Sequence, residues 1–295
     1  MIKKGILLLL SIFMMVILTG CGTEQKKVVI ASKPHTEQYI LAEMLTQLIE
    51  THTKIKVEKK LGIGGGTANI QPGMLKGEID IYPEYTGTGW LYVLKNNPIQ
   101  NPAELYSNVS KEYGEKFKIK WLGLYGFNNT YALAVNKAVA EKYQLNTVTN
   151  LAKVSQDLVF GAEYDFYERE DGIKGLEKAY ALKFKNTKEM DIGLKYDAIH
   201  SEQVDVINVF STDGLLKKYE LTVLQDDREF FPRYQAATLV RNETLKKYPE
   251  IEATLSKLAG QINDQEMTEL NYQVEIEKKE SAAVAKEFLQ KKGLL

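Results

Sequence analysis

The sequence predicts an α/β fold, and three observations carry that expectation. Short β-branched runs alternate with segments whose apolar residues fall at helical spacing. The alternation runs through the chain twice, in two blocks. From Asn242 onward the pattern is almost wholly helical, with Pro249 interrupting it once.

In order, residues 28–31 form a β-branched run, and the polar stretch Ser32-Lys33-Pro34-His35-Thr36 separates it from apolar residues at 40, 41, 44, 45, 48 and 49. That spacing is one face of a helix. In residues 54–60, Ile55 and Val57 alternate against lysines, which predicts a second strand. The Gly-rich segment 62–67 then turns into a helix, and residues 79–82 read as the next strand. After Trp121 the second block predicts strands at 130–135, 158–162 and 204–210, with helices at 137–143 and 171–182. Such strand and helix alternation argues for a mainly parallel sheet.

The N-terminus reads as a targeting segment. Residues 1–4 are cationic, and residues 5–18 carry no charge. The run is shorter than the roughly 20 residues a spanning helix needs, so it predicts a signal peptide over 1–20. It stops at Leu18-Thr19-Gly20-Cys21, which resembles the lipobox of bacterial lipoproteins. The resemblance implies lipidation of Cys21 and a polar tether over 21–27, leaving the protein anchored on the outer face of the cell membrane. Cys21 is the only cysteine, so no disulfide forms within one chain.

With 38 Lys and Arg against 39 Asp and Glu, the formal net charge is -1. Nothing there favours nucleic acid as a partner. The Gly-rich segment lacks the Lys-Ser/Thr ending of a nucleotide-binding loop and reads as a tight turn. His35, His52 and His200 lie in unrelated contexts, without a nearby nucleophile or a ligand pair. Catalysis, metal and cofactor are therefore not expected.

Tyrosine is the unusual component: 17 Tyr against 2 Trp. Several tyrosines stand at predicted strand ends, where α/β folds place their ligands. Tyr82-Pro83-Glu84-Tyr85-Thr86-Gly87-Thr88 follows one strand, Tyr131 opens another after Asn128-Asn129-Thr130, and Tyr234 follows Phe230-Phe231-Pro232-Arg233.

Four motifs carry a resemblance that covers nearly all of the chain after residue 27: Ser32-Lys33 with Thr36-Glu37-Gln38, the Gly77 to Thr88 segment, Glu168-Arg169-Glu170-Asp171-Gly172, and Phe210-Ser211-Thr212-Asp213-Gly214. With these the chain resembles the glycine betaine/carnitine/choline-binding proteins of osmoprotectant ABC importers. The resemblance implies a two-lobed periplasmic-binding-protein-like fold with a ligand cleft between the lobes. One lobe would combine 28–128 with 236–295, and the other would hold 129–235.

It further implies an aromatic cage of Tyr85, Tyr131, Phe210 and Tyr234 around a trimethylammonium group, with Asn129 beside it. Phe210 departs from the family's usual tyrosine. A quaternary ammonium has no N–H to donate, so aromatic faces are its natural partners. Lys33, Thr88 and Arg169 would meet a ligand carboxylate, with Arg169 alternatively closing one lobe on the other. A neutral Thr88 suits a zwitterionic betaine. The implied partners are a quaternary ammonium ligand, an ABC permease and its ATPase. Two rival readings are an amino-acid receptor of the same fold and a lipid-anchored hydrolase.

Overall fold

The computed structural model describes residues 25–295. The expected signal peptide, Cys21 and most of the expected tether lie outside the described residues. In chain order the elements are β1 (Lys27–Ala31), α1 (Thr36–His52), β2 (Lys56–Lys60), α2 (Thr67–Lys76), β3 (Ile81–Tyr85), α3 (Pro102–Phe117), β4 (Ile119–Asn128), β5 (Tyr131–Val135), α4 (Lys137–Tyr143), α5 (Val148–Ala152) and β6 (Val159–Glu163). They continue with α6 (Tyr164–Glu168), α7 (Ile173–Tyr180), β7 (Asn186–Met190), α8 (Lys195–His200), β8 (Val206–Phe210), α9 (Leu215–Lys218), β9 (Thr222–Leu224), β10 (Gln235–Arg241), α10 (Asn242–Lys247), α11 (Glu250–Ser256), α12 (Asp264–Glu275) and α13 (Ser281–Lys291).

The strands form two five-stranded sheets, ordered β2-β1-β3-β10-β4 and β7-β6-β8-β5-β9. The first draws on the chain before residue 129 and takes back β10 from after it. The fold is thus α/β and two-lobed, with one sheet in each lobe. The expectation of mainly parallel sheets is corrected, because both are mixed. β10 runs antiparallel to β3 and β4, and β5 runs antiparallel to β8 and β9. These two strands are the ones the chain enters straight after crossing between the sheets, and their direction follows from that crossing.

The apolar face expected of α1 is realised: Ile40, Leu41, Met44, Leu45, Leu48 and Ile49 are all 0% exposed. Buried residues surround this helix because the first sheet lies on one side of it and α12 and α13 on the other. The strand expected at 79–82 sits later, at Ile81–Tyr85. Pro83 is tolerated inside it because β1 pairs with β3 only at Ile81, so the missing N–H falls where that edge has no ladder. α3 begins at Pro102, with Asn101 accepting from the N–H groups of Ala103 and Glu104, and α12 begins with a capping box between Asn263 and Glu266.

Two chain segments running side by side join the sheets. Asn129 N–H donates to Tyr234 O at 3.1 Å, Tyr234 N–H donates to Asn128 Oδ1 at 2.8 Å, and Gln235 stands opposite Asn128 in the ladder.

Candidate functional site

The strand ends that face the gap between the sheets supply the side chains of one cavity of about 600 Å³. Tyr85 closes β3, Tyr131 opens β5, Phe210 closes β8, and Tyr234 immediately precedes β10. Tyr131 pairs with Phe210 across the ladder, which puts the two rings on one face with centroids 5.1 Å apart. Tyr234 meets Tyr131 edge-on at 5.4 Å. All eight residues expected at the site line this cavity: Lys33, Tyr85, Thr88, Asn129, Tyr131, Arg169, Phe210 and Tyr234.

His35 also lines it, and reasoning from the sequence did not find it. Its ring stacks between Phe210, at 5.7 Å, and Tyr85, at 6.4 Å. Burial, with Lys33 and Lys195 nearby, pushes its pKa down to about 3, so this ring is a neutral wall. The Gly64–Gly66 turn, Glu163, Tyr164, Asp165 and Asp191–Gly193 complete the lining. The Gly-rich turn therefore does more than redirect the chain. Gly66 has φ +50°, and a Cβ added there would stand 3.1 Å from Asp165 Oδ2. The left-handed backbone at Gly66 favours glycine, and the missing side chain leaves room for the Asp165 carboxylate.

Two of the tyrosine hydroxyls at the cavity end on buried carboxylates, which fixes those rings. Tyr85 donates to Glu37 at 2.6 Å and accepts from Gln38 at 3.1 Å; Tyr234 donates to Asp171 at 2.5 Å. Phe210 has no hydroxyl and is held instead through its N–H, which donates to Asp213 at 3.0 Å.

The cations are paired. Lys33 donates to the fully buried Glu84 at 2.5 Å, and Glu84 also accepts from Thr67, Tyr82 and the Tyr85 N–H at 2.7, 2.7 and 2.8 Å. Burial lowers the Lys33 pKa while Glu84 opposes that shift. Arg169, 4% exposed, is paired with Asp171, and its Nε has no partner. It lines the cavity and also spans the cleft, donating to Thr88 at 3.5 Å and lying 5.3 Å from the Tyr92 ring. Lys195, bridged to Glu163 at 3.2 Å, sits 4.5 Å from the Phe210 ring.

The lining interleaves aromatic faces with charged groups: Lys33 lies 4.8 Å from the Tyr85 ring, and Arg169 lies 5.6 Å and 6.0 Å from the Tyr131 and Tyr234 rings. Glu163, Asp165 and Asp191 share the lining with Lys33 and Arg169; Lys195, Lys33 and Arg169 are each bridged to a carboxylate, so Asp165 and Asp191 leave a surplus of acidic groups that favours a ligand bearing a cation.

Comparison with known proteins decides the family. A model of the substrate-binding domain of ABC-type glycine betaine transport systems matches residues 26–291. The chain belongs to this family. Among relatives of this glycine betaine-type domain, a carnitine transport binding protein of Listeria monocytogenes is 39% identical over 300 residues, covering 98% of this chain and 97% of that one. An ergothioneine transport permease/ergothioneine binding protein of Helicobacter pylori is 45% identical over 299 residues, covering 99% of this chain; the chain spans 54% of that longer protein. The crystal structure of a glycine betaine/carnitine/choline ABC transporter protein superposes with TM-score 0.71 at 38% identity, covering 90% of this chain and 99% of that one. The protein is thus the substrate-binding component of a betaine-type ABC transporter, in a family that works with membrane permeases. None of these comparisons favours the amino-acid receptor or the hydrolase.

Proposed function

We propose that this chain is the lipid-anchored, extracytoplasmic receptor that captures a trimethylammonium betaine between its lobes and hands it to the permease and its ATPase. The lobes in this reading are 28–128 with 236–295, and 129–235. The observation that carries it is the convergence of Tyr85, Tyr131, Phe210, Tyr234 and His35 on a single cavity. Each cation-π contact there contributes about 0.5 to 2 kcal/mol once water is excluded. Arg169, Thr88 and the remaining N–H groups of Lys33 receive the ligand carboxylate, and Asn129 lies beside the cage. The lobes close by a hinge movement at the paired crossover segments. No bond is made or broken.

A second reading of the ligand rests on the remaining lining of the cavity. There the Gly64–Gly66 turn, Tyr164, Asp165 and Asp191–Gly193 enclose more space than a small betaine fills. Asp165 is held electrostatically by Lys33 and Arg169, and burial raises its pKa. Ergothioneine is a trimethylammonium betaine whose ring carries N–H donors, and such donors match those acceptors.

Calorimetric titration of the chain from residue 22 onward with glycine betaine, carnitine, choline and ergothioneine tests both readings, with Tyr131→Ala as control. Saturable binding that the variant loses supports the cage, and the rank order separates the two ligands. Silence with every quaternary ammonium would overturn the proposal.

A further inference from the structure

Glu37 is 2% exposed and accepts from four segments that are distant in sequence. Its Oε1 accepts from the Tyr85 hydroxyl at 2.6 Å and from Asn129 Nδ2 at 2.9 Å. Its Oε2 accepts from the Thr212 hydroxyl at 2.6 Å and from Asn271 Nδ2 at 3.4 Å. These partners belong to different parts of the machine. Tyr85 is a ring of the cavity, Asn129 lies in the link from β4 to β5 that crosses between the sheets, Thr212 follows β8 in the second lobe, and Asn271 sits on α12 behind the first sheet. Asn271 also donates to Thr212 O at 2.9 Å, which makes a closed link between the lobes.

A buried carboxylate is tolerated only while its acceptor sites are filled. Burial raises the Glu37 pKa, and the hydrogen bonds from Thr212, Tyr85, Asn129 and Asn271 pull it back. Separation of the lobes removes the Thr212 bond and disturbs Asn129, so the remaining donors must redistribute around one carboxylate. The donor that touches the cavity is Tyr85.

We propose that Glu37 is a positioning residue that couples closure of the lobes to the orientation of the Tyr85 ring. The ligand half of this statement rests on reading the cavity as a betaine site; the closure half does not. Glu37 touches no ligand. It acts through Tyr85 on one side and through Thr212 on the other.

Glu37→Gln places an amide among donors and can block folding, so Tyr85→Phe and Thr212→Val carry the test. Tyr85→Phe keeps the aromatic face and removes only the hydroxyl that reports to Glu37. In titration with glycine betaine and ergothioneine, each single variant is expected to weaken binding by about ten- to a hundred-fold, the range for a hydrogen bond to a charged group. The double variant is expected to lose less than the product of the two, because both act through one carboxylate. In parallel, spin labels on the two lobes report the interlobe distance without ligand, where Thr212→Val is expected to broaden the distribution toward longer separations. Unchanged affinity in Tyr85→Phe, fully multiplicative losses, or an unchanged distance distribution in Thr212→Val overturns the proposal. If wild-type protein binds no betaine, the functional reading fails and the distance comparison alone decides the coupling.

Discussion

Replacing Glu275 by glutamine is expected to stabilise the protein above neutral pH and to leave it unchanged in acid. Glu275 ends α12 and presses on the Asp213-Gly214 turn of the other lobe; its Oε2 would lie 2.9 Å from a Cβ at Gly214 and has no hydrogen-bond partner. Burial first, and the Asp213 carboxylate second, push its pKa up from the usual 4.5 to about 7, against contacts from Thr36 and the Leu215 N–H. The folded state therefore binds this proton more tightly than the unfolded chain does. Below about 4.5 both states are protonated and the site costs nothing. As pH rises to about 7, stability falls, and the full cost is present above that. At roughly 1.4 kcal/mol for each tenfold change in proton affinity, and allowing for screening on the solvent side, the cost is about 2 to 3 kcal/mol. Glutamine keeps the shape and carries no charge. Urea unfolding of both proteins, between pH of about 4 and about 8, should give stabilities that agree at the acid end, diverge as pH rises to about 7 and keep a constant gap above it. Parallel curves across that window would refute the reasoning.

Thr88→Asp puts a carboxylate beside Arg169, where it competes with a ligand carboxylate. Affinity for choline relative to glycine betaine is expected to rise on the order of tenfold in paired titrations, and an unchanged ratio would remove Thr88 from the site. Lys195→Met strands Glu163 in the interior: Lys195 is 1% exposed and makes the 3.2 Å bridge, while Asn208 donates to the other carboxylate oxygen at 2.7 Å. Loss of one partner of such a pair is expected to cost about 3 to 5 kcal/mol in thermal unfolding, and a loss under about 1 kcal/mol would mean that water replaces the lysine.

Where residues state their own environment, the sequence was legible. The apolar positions of α1 repeat at helical spacing because one continuous core covers them, and β5 and β8 are apolar runs because helices cover both faces of their sheet. The cavity tyrosines were legible through their motifs, and the structure brings all of them to one cavity. Strand direction was not, since no residue in β5 or β10 records that the chain has just crossed between lobes. β7, Asn-Thr-Lys-Glu-Met, is an exposed edge strand with no alternation to read. His35 was hidden as a single ring in a polar stretch. Glu37 was visible only as a letter in a motif, because its meaning depends on donors from four distant segments.

Because β10 fills the gap between β3 and β4, the first sheet stays in two pieces until the chain has been made as far as Arg241. The second sheet needs only a contiguous stretch, from β5 to β9. Folding order is therefore biased by connectivity: the middle of the chain can condense alone, whereas its flanks must wait and find each other over a long sequence separation. A folding intermediate with the second lobe formed is the species this topology favours, and pulsed hydrogen exchange would see β5, β6 and β8 protected before β3 and β10.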